Sequence, residues 1–224
     1  MPRVTSTEIN TVLSDAHQEI WGLDRIHDFV SSKIEDVLAA RQVPRQYVQA
    51  PSLDIAVPAI EAMRYCKFRT EMTALIASAM DRRLSHQAHP AFVNILRQLA
   101  PDELRILALM PGQDEVLPIG NLHLSLGGGR TRMVYRSIVP KHLADVCKAK
   151  RAIPTYIDNL DRLKLITSPD TLTIRDEEVY ADLTNQPFCL EIRDGLPKRA
   201  RPRLERRTLS LTALGENFRT VCLA

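Results

Sequence analysis

Aromatic side chains are scarce, at 5% of 224 residues with a single tryptophan, so the core has to be filled by Leu, Ile, Val and Ala. The only cysteines are Cys66, Cys147, Cys189 and Cys222, and no two form a C-x-x-C pair. That spacing excludes a zinc ribbon and a disulfide framework, and it fits buried free thiols in a reducing cytosol. No segment reaches the roughly 20 apolar residues that span a bilayer. The start, MPRVTSTEIN, lacks the apolar run of a secretory signal. The expectation is a cytoplasmic protein with no membrane contact. Charge of one sign is also missing. The formal net charge is +3, with 12 basic and 13 acidic side chains in residues 1–110 against 18 and 14 in residues 111–224. This mild asymmetry permits an anionic partner for the C-terminal half without requiring one.

What is present is helical periodicity. In His89–Met110, Phe92, Val93, Ile95, Leu96 and Leu99 give one apolar face, and Leu104, Ile106, Leu107 and Met110 give another. Ala100-Pro101-Asp102-Glu103 makes the corner between them. Proline suits a first helical position, and the two acids suit the positive end of the helix dipole. Residues 6–41 read as one long helix with Ile9, Val12, Leu13, Ile20, Ile26, Val30, Ile34 and Val37 on a single stripe. That stripe suits packing within the chain and also suits a homo-oligomer. Pro44, Pro51 and Pro58 punctuate a connector over 43–58, and helices over 58–80 and 90–99 complete the N-terminal half.

After Met110 the texture changes. Leu122, Leu124 and Leu126 alternate with His123 and Ser125, Gly127-Gly128-Gly129 supplies a turn, and Thr131–Ser137 returns as a hairpin partner. Pro140–Lys150 and Pro154–Leu165 read as helices, and Ile166–Ile174 as strand and turn. Glu177 to Asn185 reads as helix, with an interruption at Pro187. Residues 195–206 read as a Pro/Arg-rich loop, Arg207–Leu211 as a short strand, and Thr212 as the cap of a last helix. This order, ending T-L-S-L-T-A-L-G-E-N-F, resembles a winged helix. Tyr156–Ile166 resembles its third helix, with Lys164 where glycine would favour a left-handed turn. The expected fold is mainly α: an N-terminal helical bundle over 1–100, followed by a winged-helix-like α+β domain over 101–224.

Four constellations are candidates for chemistry. His86 and His89 with Asp81 could share a metal, but Pro90 disfavours helix at His89, and a complete site needs three or four ligands. The expectation is no metal, with His89 and Pro90 shaping the start of the next helix. The cysteines sit beside apolar residues and read as core thiols, so no catalytic residue is assigned. Gly127-Gly128-Gly129-Arg130 lacks the Gly-Lys-Ser/Thr ending of a nucleotide loop and reads as a hairpin tip, which implies no cofactor. The fourth is a basic set. It comprises Lys198, Arg199, Arg201, Arg203, Arg206 and Arg207, extended by Arg130 and Arg132 on the hairpin, Lys148, Lys150 and Arg151 before the third helix, and Asn159 and Arg162 on it. Such a set can neutralise phosphates, although Asp158 and Asp161 on the same helix oppose that use. Its partner is a protein or a nucleic acid.

Across roughly residues 50 to 222 the chain is similar to the Abi-alpha family of bacterial proteins, associated with abortive infection against phage. Four blocks carry the resemblance: Pro51 with Pro58 and Glu61; Leu75–Asp81; His89–Val93 continuing through Gln98–Glu103; and Leu211–Phe218. Ala100 stands where a serine is expected before Pro-Asp-Glu, at the cost of a helix cap. The family implies antiphage defence and carries over no catalytic residue. The functional expectation is therefore non-enzymatic binding or sensing of a macromolecule through the C-terminal half. The alternatives are a DNA-binding transcriptional regulator and a metal-dependent nuclease using Asp81, His86 and His89.

Overall fold

The computed structural model describes residues 22–112, 114–127, 130–169, 172–195 and 201–223. The fold is mixed α and β, mostly helical, with one four-stranded antiparallel sheet. The chain divides into two compact units, one of residues 1–98 with 220–224 and the other of 99–219.

In the first unit, helices α1 (Leu23–Ala40), α2 (Leu53–Met63), α3 (Arg69–Met80) and α4 (Ala91–Gln98) form the body. The expected helix over 6–41 is described from Leu23 onward; residues 6–21 lie outside the described residues. Helix α3 is the centre, against which α1, α2 and α4 pack. Met72 to Ala79 are all buried, so this helix is enclosed on every side, and its Ala and Ser residues let neighbours come close. The single helix expected over 58–80 is two helices. It starts at Leu53, with Pro58 inside α2, and it breaks between Met63 and Arg69. Arg69 Nε donates to the Met63 carbonyl at 2.8 Å, satisfying an acceptor that the break leaves open. Before α2, Arg45–Tyr47 form one 3-10 turn. Ser78 sits within 2.9 Å of the Val221 carbonyl and receives Arg41 Nη1 at 2.7 Å, so the last helical turn of the chain is part of this unit's interior.

The second unit begins with α5 (Pro101–Leu109). Pro101 takes the first helical position, and Glu103 reaches back to the Ala100 N–H at 2.6 Å. That is half of a reciprocal cap, because Ala100 has no side-chain oxygen to return the bond. Its extended backbone (φ −88°, ψ 155°) already suits a capping residue. Ala100→Ser is expected to raise stability by about 1 kcal/mol, seen as a higher Tm in calorimetry.

Strands β1 (Leu117–Gly127) and β2 (Arg130–Ile138) form the hairpin; the turn at 128–129 lies outside the described residues. Next come α6 (Lys141–Asp145), a 3-10 turn at Lys150–Ala152, α7 (Ile153–Arg162), β3 (Ile166–Thr167), α8 (Glu178–Thr184) and α9 (Pro187–Asp194). The chain ends with β4 (Arg201–Leu211) and α10 (Ala213–Cys222). The sheet order is β2-β1-β4-β3. Strand β4 pairs with β1 without a break from Leu117 opposite Leu209 to Ser125 opposite Arg201. The expected loop over 195–206 is therefore strand from Arg201 on. Its charged residues hide the apolar period, and β1 supplies the template. Pro202 is tolerated because no strand lies against that part of the other edge among the described residues.

Helix α7 ends as a left-handed turn despite lacking glycine there. Lys164 has φ 58°, Leu165 N–H bonds the Leu160 carbonyl at 3.0 Å, and Lys164 N–H bonds that of Asp161 at 2.9 Å. Thr212 N–H then donates to the Leu165 carbonyl at 3.1 Å, and Thr212 Oγ1 caps α10 by accepting the Gly215 amide at 3.0 Å.

Candidate functional site

Successive residues of a strand face opposite sides of a sheet. A cleft of about 1010 Å³ nevertheless meets Arg203, Leu204, Glu205 and Arg206 in a row, so it runs along the edge of β4. The edge is the free one, since β1 occupies the other and β3 reaches only Ser210 and Leu211. Helix α8 supplies the opposite wall with Glu177 before it and Glu178, Ala181 and Thr184 on it. A smaller cavity of about 210 Å³, lined by Leu122, Thr184, Cys189, Pro202 and Leu204, shares two residues with it.

The cleft is braced by polar contacts. Asn121 and His123, two apart on β1, both bond the Glu205 carboxylate, Asn121 Nδ2 at 2.8 Å and His123 Nε2 at 3.0 Å. The Asn121 hydrogen bond first, then that of His123, holds the Glu205 carboxyl below the usual carboxylate range. Asn121 Oδ1 also accepts the Ser137 amide at 3.0 Å. There β2 bulges, Arg136 and Ser137 together opposing Asn121, and Ser137 has φ 53°. Asn121 thus fixes the bulge and the carboxylate together. Asn121→Ala leaves the buried Ser137 N–H without its acceptor, with an expected cost of about 1–3 kcal/mol, measured by thermal unfolding. On the other wall Arg206 bonds Glu177 at 2.7 Å and lies over the Tyr180 ring at 5.6 Å. Tyr180 donates its hydroxyl hydrogen to the Arg207 carbonyl at 3.0 Å and accepts the Ile174 amide at 3.0 Å.

The basic set is dispersed rather than gathered. Lys198 and Arg199 lie outside the described residues, and Arg201 opens β4. Arg203 and Arg206 line the cleft, whereas Arg207 is half-buried and bonds the Ser168 carbonyl. Lys150 pairs with Asp145 at 2.7 Å. Asn159 is turned inward, its amide 3.0 Å from both oxygens of buried Glu103, and Arg162 bonds the Asn159 oxygen at 2.7 Å. On the exposed side of α7, Asp158 pairs with Arg136 at 3.0 Å and Asp161 with Lys164 at 3.7 Å. Arg130, Arg132, Lys148 and Arg151 are exposed. The bracing residues Asn121, His123, Glu177 and Tyr180 escape the sequence reading. Their meeting depends on the β1–β4 register, although a polar Asn121 in an apolar strand is a usable signal.

In the first unit, buried Asp81 is gripped by Arg83 at 2.8 Å. His89 Nδ1 accepts the Ala91 amide at 3.1 Å, at the start of α4. All four cysteines are buried and free. Burial pushes Cys147 and Cys189 up to about 11, and Cys222 well above its ordinary value. Among the described residues, no group of three or more His, Cys, Asp and Glu could hold a metal ion, and no helix is long and apolar enough to cross a membrane.

The family model described as Abortive infection alpha, Abi_alpha, matches residues 24–222. The chain belongs to the Abi-alpha family. That membership associates it with abortive-infection defence. No curated protein matches this Abi-alpha chain. One solved structure to which it is similar is that of an uncharacterized protein from the hydrocarbon-degrading marine bacterium Alcanivorax borkumensis SK2. The two are 18% identical, over 64% of this chain and 96% of the other, with a TM-score of 0.37.

Proposed function

We propose that this Abi-alpha chain acts in antiphage defence by binding a protein through its second unit, without catalysing a reaction. The observation that carries this reading is the cleft between β4 and α8, large enough for a segment of another chain and edged by an open strand. Its charge supports a protein over a nucleic acid. Glu177, Glu178 and Glu205 line it beside Arg203 and Arg206, which disfavours a phosphate backbone. The unit's element order supports a winged-helix-like reading. In this reading α5, α6 and α7 are the three helices, β3 and β4 flank the wing, and α8 and α9 are inserted in it. The third helix, α7, then spends Asn159 on Glu103 and presents paired Asp158 and Asp161, which suits a protein better than DNA.

The test is phage challenge of cells expressing the chain or its Ala181→Arg variant. Ala181 is an exposed helical position on the cleft wall, so arginine there fills the cleft and leaves the core alone. Loss of protection by a variant of unchanged Tm is expected, and full protection would remove the reading. A DNA-binding regulator is a second reading, favoured by exposed Arg130 and Arg132 at the hairpin end and by Lys148 and Arg151 ahead of α7. It predicts retarded duplex migration at low salt that Arg130→Ala with Arg132→Ala abolishes.

A further inference from the structure

Resting on that protein-binding reading, we infer that the partner adds an extended segment to the free edge of β4. The segment puts an aliphatic side chain into the smaller cavity and an acidic neighbour beside Arg203. An unpaired strand edge offers alternating N–H and C=O groups, and the group that matches them is another strand's backbone. On the side away from β1, no strand accompanies Pro202 to Thr208 among the described residues. Helix α8 bounds the space beside that edge, so the cleft is a slot.

The two cavities set the chemistry. The cavity of about 210 Å³ lies on the Leu122 and Leu204 side of the sheet, with Cys189 and Pro202 in its lining, and suits a branched aliphatic group. Adjacent residues of a strand face opposite ways, so the neighbour of that group turns toward the Arg203 side. Arg206 is neutralised by Glu177, and Glu205 is held by Asn121 and His123. Arg203 has no ion-pair partner among the described residues, so it selects a carboxylate. Glu178 on the opposite wall disfavours a second acid. The segment therefore carries one acidic residue next to one aliphatic residue, not an acidic run.

The probe is a fluorescein-labelled octapeptide with one adjacent Asp-Leu pair in a Thr/Val background, titrated with the full chain by fluorescence anisotropy. Saturable binding is expected, weakened about tenfold by Arg203→Glu and recovered by that variant when Lys replaces the peptide's Asp. Methylating alternate peptide nitrogens should abolish it, and hydrogen exchange should slow at residues 203–206. Binding without slowed exchange there, or indifferent to N-methylation, overturns the strand-addition inference but leaves protein binding standing. Absence of binding by the Asp-Leu peptide also overturns it. So does protection of β4 that appears without peptide in a concentration-dependent dimer, which would make a second copy the occupant. The protein-binding reading fails separately, on unchanged phage protection by Ala181→Arg.

Discussion

Gly215→Ala is expected to lower stability by about 3 kcal/mol or more, beyond the usual cost of overpacking, because backbone stands in the way. A Cβ at this position would lie 1.9 Å from the Leu165 carbonyl oxygen and 2.8 Å from its carbon. Neither atom can rotate aside. Leu165 ends the left-handed turn after α7, and its carbonyl accepts Thr212 N–H at 3.1 Å, while Thr212 Oγ1 caps the helix containing Gly215. Relieving the clash would pull apart a helix end, a helix start and the β3–β4 pairing between them. At roughly 2–4 °C per kcal/mol for a chain of this size, Tm should fall by about 10 °C. Gly112→Ala is the control, since nothing lies within 4 Å of a Cβ there, and it should leave Tm nearly unchanged. Equal melting of the two variants would show that the contact at Leu165 yields at little cost.

Replacing Asp102 with alanine should cost about 3–5 kcal/mol, the range for removing one partner of a buried ion pair. Asp102 is 4% exposed and accepts the Ala149 amide at 3.0 Å and the Tyr156 hydroxyl at 3.3 Å, with Arg105 also paired to it. Alanine would strand these donors. The control is Asp145→Ala, which breaks a solvent-exposed pair with Lys150 and should cost no more than about 1 kcal/mol. Burial pushes the Asp102 carboxyl up, but the amides of Ala149 and Lys148, the Tyr156 hydroxyl and Arg105 outweigh it, and the net direction is downward. A carboxyl depressed in the folded state stabilises fully above its unfolded pKa of about 4. That contribution is lost as pH falls from there through the lower folded value. The Tm gap between the native chain and Asp102→Asn should thus be widest near neutrality and should close below pH 4. A gap that stays constant down to pH 2 would contradict the charged-state argument.

The same corner shows what was legible in the sequence. Pro101, Asp102 and Glu103 announce a helix start by their chemistry alone, and the apolar spacing of Phe92 to Leu107 marks which faces go inside. The partners of the two acids, Ala149, Tyr156 and Asn159, lie some fifty residues on and leave no local trace. Asn159, read as an outward polar residue, is spent on Glu103 for that reason. Strand β4 was legible only where it is apolar, from Leu209 to Leu211. Its charged first half becomes strand through pairing with β1, a long-range effect that local periodicity does not register. The candidate cleft was half visible: its arginines were countable, but His123, Asn121 and Tyr180 meet them only through register.

The burial of Val221 and Cys222 within the first unit has a consequence for biosynthesis. The ribosome delivers residues 1–98 early, but the strip that bonds Ser78 emerges only after the whole second unit has been translated. The N-terminal helices must wait in an unsealed state, with the Ser78 flank of α3 uncovered. Nascent chains halted before residue 220 should therefore be more vulnerable to proteases and chaperone capture than their helix content suggests.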